Sequence, residues 1–172
     1  MKSSEPESET TGCNMEKFIL IACFLAITVY MAVTAWEDHK SCEVTRWKHL
    51  LGGVPAIYLL CSRYVLFSWH EYVILFIFTA LYILAGCIGI YGMADGYVLA
   101  ILTLFFGSIG GVAGSGIVVF IMIAASVSFL ITHLGKCIVK RKRLFFNMTG
   151  AFIPHILIGY VIAWMGVFLY AA

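Results

Sequence analysis

Long apolar runs, broken at intervals by short polar or glycine-rich stretches, dominate the chain. With about 20 residues needed to cross a hydrocarbon core, these runs predict six helices. Four of them cover residues 18–36, 50–67, 72–91 and 97–111, a fifth ends near Leu134, and a sixth covers 150–170. The breaks differ in kind. A charged segment, 37–49, follows the first run, and the polar Ser68-Trp69-His70-Glu71 precedes the third. Gly92-Met93-Ala94-Asp95-Gly96 separates the third from the fourth. The glycine-rich corner Gly110-Gly111-Val112-Ala113-Gly114-Ser115-Gly116 turns the chain into the fifth and reads as tight helix packing. A basic segment, 135–146, precedes the last. Residues 1–16, acidic and rich in Ser and Thr, are expected to form a disordered tail, and 17–172 one polytopic membrane domain.

Composition supports that class. Apolar and aromatic residues make up 62% of the chain and charged residues 12%, with a mean hydropathy of +0.99. A soluble domain cannot hide that much apolar surface, so the expected fold is an all-α integral membrane protein. Nucleic acid is not an expected partner; the lipid bilayer is. The six cysteines (13, 23, 42, 61, 87 and 137) are scattered and form no C-x-x-C, which argues for buried small side chains rather than a disulfide framework or zinc ribbon.

Charge distribution sets the orientation. Lys136, Lys140, Arg141, Lys142 and Arg143 precede the last helix with no acid among them, so that loop is expected to be cytoplasmic. Counting back through six spans puts the loops before the fourth helix and after the first on the same side, and the N-terminus outside. Lys40, Arg46 and Lys48 in the first loop agree with this.

Aspartate occurs at only two positions, Asp38 and Asp95, each at the end of a long apolar run. An ionisable side chain at a membrane boundary carries a large desolvation cost and marks a functional hypothesis. Asp38 follows the first predicted helix and Asp95 precedes the fourth, so both are expected at the cytoplasmic face.

These residues resemble the type IV prepilin and preflagellin peptidases, GxGD-type aspartyl proteases. That family's first motif opens with an aspartate at the end of helix one. Asp38-His39-Lys40-Ser41-Cys42-Glu43-Val44-Thr45-Arg46-Trp47 keeps its spacing, with Val44 and Trp47 in register and Thr45 and Arg46 in place of the usual Pro and Asn. Gly92-Met93-Ala94-Asp95 is similar to the second motif, G-x-[GA]-D at a helix head, though Tyr97 stands where a lysine is usual. Ile153-Pro154-His155-Ile156-Leu157-Ile158-Gly159 resembles a proline motif at the start of the last helix. The chain lacks the cysteine-bearing cytoplasmic insertion of the larger bifunctional members and is similar to the short form tied to tight-adherence (Flp) pili.

The resemblance implies an aspartic endopeptidase of the plasma membrane that removes a basic leader from prepilin-like precursors. It implies Asp38 and Asp95 as the catalytic pair, supported by Gly92, Ala94, Pro154 and His155, with no metal or organic cofactor. Carboxylates a few ångströms apart do not both ionise freely and share a proton. One takes a proton from the attacking water while the other protonates the scissile carbonyl. Simpler readings stand beside these. An aspartate at a helix end is often a cap, and His155 either lines the site or hydrogen-bonds a neighbour. His39, His49 and Cys42 flank Asp38 without a convincing metal-ligand spacing. The rival function is a small proton- or cation-coupled transporter using the same two aspartates.

Overall fold

The computed structural model describes residues 8–62, 67–139 and 150–171. Among the described residues all regular structure is helical, with no strand. Helix α1 spans Ser8–Ser41, a 3-10 turn Arg46–Lys48, α2 His49–Ser62, α3 Trp69–Cys87, α4 Met93–Val139 and α5 Ile153–Ala171. Among the described residues three stretches are long and apolar enough to cross a membrane, Lys17–Ser41, Trp69–Cys87 and Met93–Ile138, with a shorter apolar helix over Ile153–Gly166. The first part of the expected tail, 1–7, and the basic run Lys140-Arg141-Lys142-Arg143 lie outside the described residues.

Several boundaries differ from the expectation. Helix α1 begins at Ser8, inside the stretch expected as tail, and continues to Ser41. Extending a formed helix costs far less than nucleating one, so polar flanks can join an apolar core segment. Its end is closed by Cys42, whose backbone is left-handed at φ 54 and whose N–H donates to the Asp38 carbonyl at 2.8 Å. Cysteine is not a residue that announces such a stop. Asp38 therefore sits in the last turn of α1 rather than after the helix. Beyond it, Glu37 accepts bonds from the Thr45 hydroxyl at 2.7 Å and pairs with Lys48 Nζ at 2.8 Å. These contacts turn the chain back toward α2.

Helix α2 has 14 residues with Pro55 inside it, about 21 Å at a helical rise of about 1.5 Å per residue. Helix α3 starts at Trp69, because the Glu71 carboxylate accepts the Ser68 N–H at 2.8 Å and supplies one arm of a capping box. The polar break before the third run is thus the helix start itself.

Helix α4 is 47 residues long, which unbroken would extend about 70 Å, more than twice a hydrocarbon core of about 30 Å. It is interrupted at Gly110 (φ −129, ψ 16) and Gly111 (φ 57, ψ −133). A side chain at Gly111 would have to adopt a left-handed conformation. A Cβ at Gly114 would run into the Phe106 carbonyl. The glycine corner thus lets 112–139 fold back beside 93–109.

The first half of α4 forms the centre of the bundle. Val98, Leu99, Leu102 and Phe105 are fully buried there, against Ile27, Tyr30 and Met31 of α1, Leu59 of α2 and Ile153, Ile156 and Tyr160 of α5. The outer surface is apolar too. Phe18, Ile21, Leu25 and Val29 of α1, spaced three or four apart, are all well exposed, a stripe suited to lipid rather than water.

Candidate active site

Four helix ends gather at one end of the bundle: the C-termini of α1 and α3 and the N-termini of α4 and α5. At Gly92-Met93-Ala94-Asp95 the chain makes a helix start. Gly92 is the N-cap, and its carbonyl accepts the Gly96 N–H at 3.1 Å. Asp95, at the third helical position, reaches back so that its Oδ2 accepts the Gly92 N–H at 3.0 Å. This is one arm of a capping box; glycine has no side chain to supply the other. A Cβ at Gly92 would lie 2.9 Å from that same carboxylate oxygen, so the residue keeps the carboxylate seated. Close packing of α3 on α4 fixes the depth of this start. A Cβ at Gly86 would meet the Met93 Cα at 3.3 Å, and one at Gly96 the Tyr82 carbonyl at 2.8 Å.

Asp38 is held from the far end of the sequence. Its Oδ2 accepts the N–H of Ile153, the first residue of α5, at 2.9 Å. Pro154 follows in the first turn, where a missing N–H costs nothing. Each aspartate thus rests on the N-terminus of a helix, α5 for Asp38 and α4 for Asp95, where unpaired N–H groups favour negative charge. Both side chains are buried, at 6% and 7% exposure.

The two carboxylates face one cleft of about 1110 Å³ and lie close enough to feel each other's charge. Its walls carry Val44 and Arg46 from the first loop, the whole stretch 89–95, and Met122, Ser126 and Phe129 from the second half of α4. Gly92 and Ala94 line it, whereas Pro154 and His155 are absent from its walls. The His155 Nδ1 shares a hydrogen bond with the Ser128 hydroxyl at 2.9 Å, and its ring stands edge-on to Phe129 at 5.3 Å. Of its two sequence readings, the neighbour contact is the one observed, although His155 still lies within the electrostatic reach of Asp38.

The positions that depart from the resembled motifs have their own partners. Thr45 is tied to Glu37, while Arg46 reaches the cleft. Tyr97 packs against His49, with ring centroids 5.2 Å apart, and His49 Nδ1 in turn shares a hydrogen bond with the Tyr30 hydroxyl at 2.8 Å. Among the described residues no group of three or more His, Cys, Asp or Glu is arranged to hold a metal ion.

Sequence reasoning missed Tyr91, Phe129 and the backbone N–H of Ile153. Only Tyr91, adjoining the Gly92 stretch, carried a signal that could have singled it out. Compared with known proteins, the chain matches no protein-family model, no curated protein and no solved structure.

Proposed function

We propose that the protein is a membrane-embedded aspartic endopeptidase that uses Asp38 and Asp95 to cleave the leader of a prepilin-like precursor. The observation that carries this reading is the meeting of the chain's only two aspartates, both buried, in one cleft at one end of the bundle. Buried carboxylates that share a site hold one proton between them. In the proposed reaction, the ionised member accepts a proton from water as the oxygen attacks the scissile carbonyl. The protonated member donates to the carbonyl oxygen, and the pair then delivers a proton to the departing amine. The coupled pair acts as a unit, so neither carboxylate is given a fixed label.

Three further features belong to the proposal. The chain crosses the plasma membrane six times with α4 counted as two spans, the N-terminus lies outside, and the cleft opens at the cytoplasmic face. The substrate carries a basic leader followed by an apolar helix, which suits a cleft at the end of apolar helices, and no cofactor takes part. Asp95→Asn and Asp38→Asn, each co-expressed with a candidate prepilin and followed by gel shift, test the chemistry. Both variants should insert and leave the precursor uncut. Cleavage by either would remove that aspartate from the mechanism, and cleavage by both would leave transport as the better use of the pair.

A further inference from the structure

We infer that Tyr91 is a positioning residue that sets the geometry of Asp95 through the peptide unit between Tyr91 and Gly92. Tyr91 lies in the connector between α3 and α4, and its hydroxyl donates to the Tyr82 carbonyl on α3 at 3.0 Å. That carbonyl and the Tyr91 ring rest on the same spot. A Cβ at Gly96 would meet Tyr82 O at 2.8 Å and Tyr91 Cε2 at 3.5 Å. Gly96 immediately follows Asp95. On its other side Tyr91 is bonded to Gly92, whose N–H holds Asp95 Oδ2 at 3.0 Å. Because a peptide unit is planar, pinning Tyr91 to α3 limits how the Tyr91–Gly92 plane can turn. The aim of that N–H is limited with it.

The hydroxyl suits this task. Burial, with added repulsion from Tyr82 and Asp95, pushes the Tyr91 phenol up to about 12, so it remains a neutral donor at physiological pH. Tyr91 also lines the cleft beside both aspartates, where Cys42, Glu43 and Arg46 are further titratable or charged groups on the walls. Asp38 and Tyr91 are the groups whose charge is coupled to that of Asp95. The tether joins the third helix to the head of the fourth without using any group that the proposed chemistry consumes. Rotation of the 91–92 peptide would release the Asp95 oxygen and alter its distance from Asp38.

Tyr91→Phe tests this in the full-length protein in detergent, since it keeps the ring and its packing and removes only the tether. The kinetic arm rests on the peptidase reading. There kcat for a prepilin substrate should fall about tenfold, the size of one lost net hydrogen bond, with KM unchanged within about twofold. The second arm needs no peptidase activity. Dicyclohexylcarbodiimide modifies protonated buried carboxyls, and the pH midpoint of Asp95 modification, read by mass spectrometry, should move by about half a pH unit or more. Gly96→Ala, whose Cβ would press on Tyr82 O, should move the same midpoint. A moved midpoint with no cleavage by any form, the unmutated protein included, would support the positioning role and sink the peptidase reading. An unmoved midpoint in Tyr91→Phe overturns the inference, whether kcat is unchanged or falls.

Discussion

Replacing Asp38 by asparagine and by alanine separates its two roles, a cap on α5 and a member of the proposed catalytic pair. The carboxylate accepts the Ile153 N–H at 2.9 Å in a buried setting. A hydrogen bond to a charged acceptor contributes about 1.5–3 kcal/mol net, and a charge at a helix N-terminus adds about 0.3–1 kcal/mol. Burying the carboxylate costs several kcal/mol in the opposite direction. Asparagine keeps an oxygen for Ile153 and sheds the burial cost, so stability should change by less than about 1 kcal/mol. Alanine leaves the N–H unpaired and should destabilise by about 1–3 kcal/mol. Cleavage follows another order. Neither variant can share a proton, and each should lose about 100- to 10,000-fold in rate, the range for a missing acid–base group. Thermal unfolding in detergent and a prepilin cleavage assay, run on the same preparations, measure the two effects separately. If Asp38→Asn cleaves at near the unmutated rate, or if loss of cleavage merely tracks loss of stability, Asp38 is a cap and the pair mechanism fails.

Two other expectations concern placement. In a background without native cysteines, Asp38→Cys with Asp95→Cys should crosslink within one chain through a short bifunctional reagent. A prepilin should be added in a parallel trial, because closure around substrate often completes a site; a folded variant that gives no crosslink under either condition would break the pair. Cys42 is exposed and lines the cleft, so an impermeant thiol reagent applied to intact cells should miss it and label Cys13. External labelling of Cys42 would put the cleft on the wrong side of the membrane for a leader peptidase.

Helix and apolar surface were legible in the linear chain because both are local properties. Hydropathy over a window of about 20 residues reports a helix that water will not hold, and the runs around Ile27, Phe78, Leu102 and Ile121 all fall within helices. Gly92 to Asp95 was legible only as a helix head. The apolar run predicts the fourth helix from Tyr97 with Asp95 before it, whereas α4 starts at Met93 and takes Asp95 into its first turn. The carboxylate reaching back to the Gly92 N–H lets the helix begin four residues earlier. Boundaries were harder. The stop after Ser41 depends on Cys42 taking a left-handed backbone, and no residue type signals that. What only the tertiary structure decided is the company each aspartate keeps. Asp38 is tied to a backbone N–H 115 residues away, and a backbone donor has no signature in sequence. Tyr91 gains its role from a carbonyl on the preceding helix. The cleft exists because glycines at 86, 96, 111 and 114 let helices approach or turn more tightly than side chains allow. Those approaches are many-body packing outcomes, settled only when α4 is surrounded, so the facing of Asp38 and Asp95 belongs to the fold and not to the spacing.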